Sequence, residues 1–108
     1  MLYLGNEANP YVVLIKTTNS KVVECEINDS TKIIYSGAFD SCYELITIAF
    51  SKNLTCIGKR AFYYCKKLNN VYLPYSISSI GEMAFYNCSS LKNAYYPGTK
   101  DEWQSIIS

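Results

Sequence analysis

One register runs through most of this chain. Written at a step of 23 residues, Ala38, Ala61 and Ala84 fall in one column, followed by Phe39, Phe62 and Phe85. Cys42, Cys65 and Cys88 form another, as do Leu45, Leu68 and Leu91, and Ile34, Ile57 and Ile80. Ile48, Val71 and Ala94 come next, then Phe50, Leu73 and Tyr96. No insertion or deletion breaks the step. Such a chain is built from copies of one small unit, and one unit cannot bury its own apolar face. Stacking buries it, so the core is shared along an array.

Each unit reads as L-x-x-I-x-hydrophobic, a loop, then I-G-x-x-A-F-x-x-C. Leu68, Val71 and Leu73 have the spacing of a repeat strand, ended by Pro74. Ala61, Phe62 and Cys65 have the spacing of one helical turn with one face inward. The step also extends backward: Val22, Cys25 and Ile27 precede Leu45, Ile48 and Phe50, so Cys25 takes an aliphatic core slot, as a free thiol can. The segment "IGKRAFYYCKKLNNVYLP", repeated as "IGEMAFYNCSSLKNAYYP", resembles the BspA-type leucine-rich repeats, found mostly in surface proteins of gut and oral bacteria and in some parasitic protists. The closing "YYPGTKDEW" is similar to the ending after such arrays in gut bacteria. The resemblance spans residues 22–107. Period and resemblance predict an α/β repeat, a right-handed leucine-rich-repeat solenoid with a short parallel sheet and turns or short helices opposite. In the first unit Tyr35 stands where Gly58 and Gly81 stand, with Gly37 two positions later, which predicts a reshaped turn.

Composition narrows the function. The net charge of +1 supplies no field to gather nucleic acid. Histidine is absent, which removes the commonest general base and the commonest metal ligand. No serine has a base to activate it. Gly58 and Gly81 lie in no phosphate-loop context. The expectation is a non-enzyme without cofactor or metal. No run is long enough to enter and span a membrane, and no signal peptide is visible, because Gly5, Asn6 and Glu7 end the apolar start at once. A secreted parent has then lost its signal, or the chain is a piece of a longer protein. The cysteines number five, so a disulfide framework leaves one over. Three thiols on adjacent rungs lie within disulfide reach, at ~4.8 Å per strand, but without histidine they complete no tetrahedron. Buried free thiols are the expectation. Sequons at Asn28, Asn53 and Asn87 matter only in a source that glycosylates.

What remains is the outward face of the repeat strands. If Leu68, Val71 and Leu73 point inward, Asn70 and Tyr72 point outward. The matching positions are Glu24 and Glu26, Thr47 and Ala49, and Asn93 and Tyr95. Solenoids bind through such surfaces, and rigid aromatics anchor interfaces. Cross-strand tyrosines also simply cover a sheet. Tyr63, Tyr64, Lys66, Lys67 and Tyr86 mark a second patch on the opposite side. The functional expectation is a protein- or glycan-binding module, extracellular or at a cell surface. The resemblance implies adhesion to host or neighbouring-cell molecules. The alternative is a structural spacer of a longer extracellular protein.

An open solenoid needs caps. The chain reads as one domain: residues 1–21 an N-terminal cap, 22–96 the repeats, 97–108 a C-terminal cap. "YVVLIK" (Tyr11 to Lys16) and "KVVECEI", joined by Thr17 to Ser20, read as a hairpin, with residues 11–16 antiparallel to the first repeat strand. At the other end Thr99 and Glu102 have capping-box spacing, and Trp103, Ile106 and Ile107 share one helical face. Burying Trp103 there contributes ~1.5–3 kcal/mol. Trp103→Ala is therefore expected to lower the calorimetric unfolding midpoint by several degrees; an unchanged midpoint removes Trp103 from the cap.

Overall fold

A computed structural model of the chain describes residues 1–107. Ser108 and the side chain of Ile107 lie outside that description, and with them the inward-facing role expected of Ile107. Short strands recur along the chain: β1 (Leu2–Leu4), β2 (Val13–Lys16), β3 (Glu24–Glu26), β4 (Ile33–Ile34), β5 (Thr47–Ala49), β6 (Cys56–Ile57), β7 (Asn70–Tyr72), β8 (Ser79–Ile80) and β9 (Asn93–Tyr95). One helix, α1 (Lys100–Ile107), follows.

The repeat strands stack in the expected register. In β3 and β5, Cys25 lies beside Ile48; in β7 and β9, Val71 lies beside Ala94. β5 and β7 are neighbours, joined where the Asn69 N–H donates to the Ile46 carbonyl at 3.0 Å. No full ladder forms between them, so this column consists of two separate two-stranded sheets. A second parallel column, β2-β4-β6-β8, carries Leu14, Ile34, Ile57 and Ile80 side by side. Each rung is thus a strand, a corner, a shorter strand and a turn.

That turn differs from the helical turn the spacing suggested. Gly37, Arg60 and Met83 have φ of 70°, 56° and 58°, and Ser41, Tyr64 and Asn87 have φ of 60°, 59° and 57°. All are left-handed, which a helix does not tolerate. The left-handed residues turn alternate N–H groups along the stack. The N–H groups of Gly37, Phe39 and Ser41 donate to the carbonyls of Lys59, Ala61 and Tyr63 on the next rung. Those of Arg60, Phe62 and Tyr64 donate to Glu82, Ala84 and Tyr86, all between 2.7 and 3.1 Å. The intervening N–H groups close ordinary turns to the carbonyl three residues back, as Ala61 does to Gly58 at 3.2 Å. An α-helix would send every N–H four residues back and leave nothing for the neighbour. The first turn is not reshaped either, because Gly37 occupies the slot of Arg60 and Met83.

Gly58 and Gly81 have a different job. A Cβ on Gly58 would stand 2.6 Å from the Ser36 nitrogen, and one on Gly81 2.4 Å from the Lys59 nitrogen. These glycines let one rung's backbone settle on the previous rung. Tyr35 heads the series with no full repeat before it, and its ring stays 54% exposed.

Apolar columns fill the interior. Phe39 and Phe62 are wholly buried and stacked at 5.0 Å, and Phe62 stacks on Phe85 at 5.2 Å. Phe50 meets Phe62 edge-on at 5.8 Å. Leu45, Leu54, Ile57, Leu68 and Val71 close the core around them.

The N-terminal cap corrects the sequence reading. Residues 11–16 do not pair with the first repeat strand. β2 runs parallel to β4, with Leu14 beside Ile34, and antiparallel to β1. Leu14 is fully buried there, in the slot that Ile34 and Ile57 fill on later rungs, which a hairpin onto β3 would leave empty. The Thr17 to Ser20 segment lies at the turn position of the first rung: the Thr17 N–H donates to the Ala38 carbonyl at 3.0 Å. At the C-terminus the Thr99 N–H donates to Glu102 Oε1 at 3.0 Å and the Glu102 N–H to Thr99 Oγ1 at 3.2 Å. α1 packs against β8, with Trp103 beside Tyr96 and Ile106 buried. It covers the end of the second column only. Ala94, read as a core residue, is exposed, because no further described strand stacks on β9.

Gly81→Ala tests the close approach of rungs. The three atoms nearest its Cβ would all be backbone, so the rungs must part, at a cost of about 1–3 kcal/mol. The urea midpoint is expected to fall accordingly.

Candidate functional site

Strand alternation turns residues i and i+2 to the same face. Glu24, Glu26, Thr47, Ala49, Tyr72, Asn93 and Tyr95 are exposed on the outward face, and Asn70 is half-buried. Two rows result: Glu24, Thr47, Asn70, Asn93 and Glu26, Ala49, Tyr72, Tyr95. The face is not uniform. β3 and β5 carry the carboxylates around an open depression of about 510 Å³, lined by Glu24, Glu26, Thr47 and Ala49 with Cys25 and Ile48 beneath. β7 and β9 carry the aromatics. The Tyr72 and Tyr95 rings stack at 4.7 Å with 8° between planes, and remain 62% and 46% exposed. That distance is the strand spacing, so the backbone ladder sets the stack. Asn70 Oδ1 is buried without a hydrogen-bond partner, at the break between β5 and β7. Among the described residues no group of His, Cys, Asp or Glu could hold a metal ion. None of the described helices is long and apolar enough to cross a membrane.

The turn side carries a second aromatic group. Tyr63 and Tyr86 stack at 5.3 Å, and Tyr64 meets Tyr63 edge-on at 4.5 Å. Lys66 Nζ lies 5.8 Å from the centre of the Tyr43 ring and 5.9 Å from that of Tyr64. Arg60 sits over Tyr63 at 5.1 Å. Lys67 is held elsewhere, by Glu44 at 2.8 Å. The sequence reading missed Arg60 and Tyr43, although both were findable. Arg60 stands three residues before Tyr63, and the repeat step puts Tyr43 on the rung beside Lys66.

All five cysteines are free thiols. Cys65 donates its S–H to the Phe39 carbonyl and Cys88 to the Phe62 carbonyl, each at 3.1 Å. Burial pushes Cys65 up to about 12 and Cys25 and Cys88 up to about 11. Burial also raises Cys42 above its ordinary value. These four buried thiols stay protonated at neutral pH, neither nucleophiles nor ready metal ligands.

Over residues 17–106 the sequence matches, in 6 copies, the family described as BspA type leucine rich repeat region. The chain belongs to the BspA-type leucine-rich-repeat family. It is also similar to the crystal structure of a leucine rich cell surface protein from Faecalibacterium prausnitzii A2-165, with 27% identity and a TM-score of 0.57. That likeness covers 92% of this chain and 33% of the other, so the chain spans about a third of that protein's length. No curated protein matches it. In this BspA-type solenoid the cysteine column lies inside the stack, while both aromatic groups lie outside it.

The thiols give the BspA-type fold a pH limit. Unfolded thiols ionise near 9.0, whereas Cys65 in the fold ionises only near 12. As pH rises, the unfolded chain releases its protons first. The thiol contribution to stability is therefore complete below pH 9.0 and lost progressively up to about 12. Unfolding midpoints measured across that window are expected to fall, and less steeply in Cys65→Ala.

Proposed function

We propose that this chain is a non-catalytic binding module, docking a protein or glycan on the outward face of β3, β5, β7 and β9. The observation that carries the reading is the Tyr72 and Tyr95 pair: two large rings, stacked on each other, exposed, and covered by none of the described residues. Their backbone ladder holds them rigid before any partner arrives. Ordering cost on binding is therefore small. Neighbouring Asn70, Asn93 and Thr47 supply hydrogen-bonding groups, and Glu24 and Glu26 supply charge. The absence of histidine and the protonated state of the buried thiols both argue against catalysis. Likeness to a bacterial cell-surface protein supports an extracellular setting. The coverage of only 33% of that protein supports a second reading, a spacer segment whose binding regions lie elsewhere in a longer chain.

Immobilised extracellular-matrix proteins and a glycan panel test the first reading. Saturable binding is expected, and Tyr72→Ser with Tyr95→Ser is expected to abolish it with little loss of stability, because both rings face solvent. No binding by the unsubstituted chain favours the spacer; collapse of the double variant would mean the rings support the fold.

A further inference from the structure

We infer that the turn side of the solenoid is a second, independent binding surface, and that it takes an acidic polysaccharide. Backbone strain marks this side of the solenoid. The two left-handed slots of each turn hold Gly37 and Ser41 in the first unit. In the second unit the same slots hold Arg60 and Tyr64. Glycine takes such a conformation freely, whereas bulky side chains pay about 1–2 kcal/mol for it. The second unit thus keeps arginine in a slot where Gly37 shows that glycine fits, and a large aromatic in the slot that serine fills in the first unit. Both residues reach the same place. Arg60 lies over Tyr63, and Tyr64 packs edge-on against Tyr63.

The charges there are unspent. Lys59 pairs with Glu82 and Lys67 with Glu44. Arg60 and Lys66 form no ion pair among the described residues; each is held against tyrosine rings instead. The surface therefore presents two fixed cations set among Tyr43, Tyr63, Tyr64 and Tyr86, of which Tyr43 is 51% and Tyr86 45% exposed.

Shape then decides between anionic partners. A peptide strand needs free backbone groups to pair with. Here the N–H groups of Arg60, Phe62 and Tyr64 are consumed by the next rung, and no sheet edge lies in the turn. A nucleic acid carries phosphate far more densely than two cations can match, and the net charge of +1 adds no wider field. A polymer of sugar rings, which present flat C–H faces, with about one anionic group per two rings fits better. Its sugar faces rest on the tyrosines and its sulfate or carboxylate groups meet Arg60 and Lys66, Arg60 with its two-pronged fork.

The test uses the whole chain and a dextran sulfate of low substitution, about one sulfate per two rings, with neutral dextran, polyglutamate and oligo-dT of similar length as comparisons. Dextran sulfate is expected to bind saturably and to weaken as salt rises. Arg60→Gly with Lys66→Gln is expected to raise its Kd about tenfold. The single variant Arg60→Gly is expected to leave the unfolding midpoint unchanged or higher, since Gly37 shows that glycine fits the slot. A residue kept only for the fold would behave in the opposite way. The Tyr72→Ser and Tyr95→Ser variant is expected to bind dextran sulfate normally, so this surface and the strand face succeed or fail separately. The proposal is overturned by absence of binding, by equal binding of neutral dextran, by polyglutamate or oligo-dT binding as well as dextran sulfate, or by unchanged affinity in the double variant.

Discussion

Rung-to-rung hydrogen bonding in the turn column governs the rest of this structure. Strands of two to four residues cannot hold a solenoid together by pairing alone, and the β5 to β7 ladder is incomplete. The turns carry the stack across that gap. Their donors reach the next rung at every second residue, in each interval from Gly37 to Tyr64. Fixing the backbones at this distance also fixes the side chains above and below it. The phenylalanines stack at 5.0 and 5.2 Å because their rungs do, and the exposed tyrosines at 4.7 Å for the same reason. Core and surface thus share one spacing.

Much of this was legible from the residues. The repeat step alone set which side chains share a column, and the inward and outward assignments of β3, β5, β7 and β9 follow from strand alternation. Leucine-rich-repeat architecture was legible too. What escaped the reading was backbone conformation. The spacing of Ala61, Phe62 and Cys65 fits a helical turn and equally fits two linked turns with left-handed residues between them. Apolar spacing reports which side chains face inward, not the sign of φ at Arg60 or Tyr64. Only Gly37, in the slot of Arg60, hinted at it. The N-terminal error had a different source. Tyr11 to Lys16 and the first repeat strand are adjacent in sequence with a polar connection, which is the signature of a hairpin. Leu14, however, buries more fully by extending the isoleucine column, and tertiary burial overrides a local pairing rule.

The candidate surfaces were only half legible. Tyr72 and Tyr95 could be placed side by side from the period, and so could the acidic row before them. On the turn side the period brings the same residues together, but which cations stay free to rest on the rings was not legible, since Glu82 and Glu44 take Lys59 and Lys67 and leave Arg60 and Lys66. The cysteine column shows the same division. Its burial was foreseeable, but the thiol hydrogen bonds to Phe39 and Phe62 carbonyls depend on the turn geometry.

The direction of the turn bonds has an electrical consequence. In each of them the N–H belongs to the earlier rung and the carbonyl to the later one, so their peptide dipoles add instead of alternating. A peptide unit carries about 3.5 D, and aligned units sum as they do in a helix. The β-ladders contribute little, because strand dipoles largely cancel. The turn column is thereby polarised along the solenoid axis, positive toward its C-terminal side, and each further turn of this kind extends that polarity.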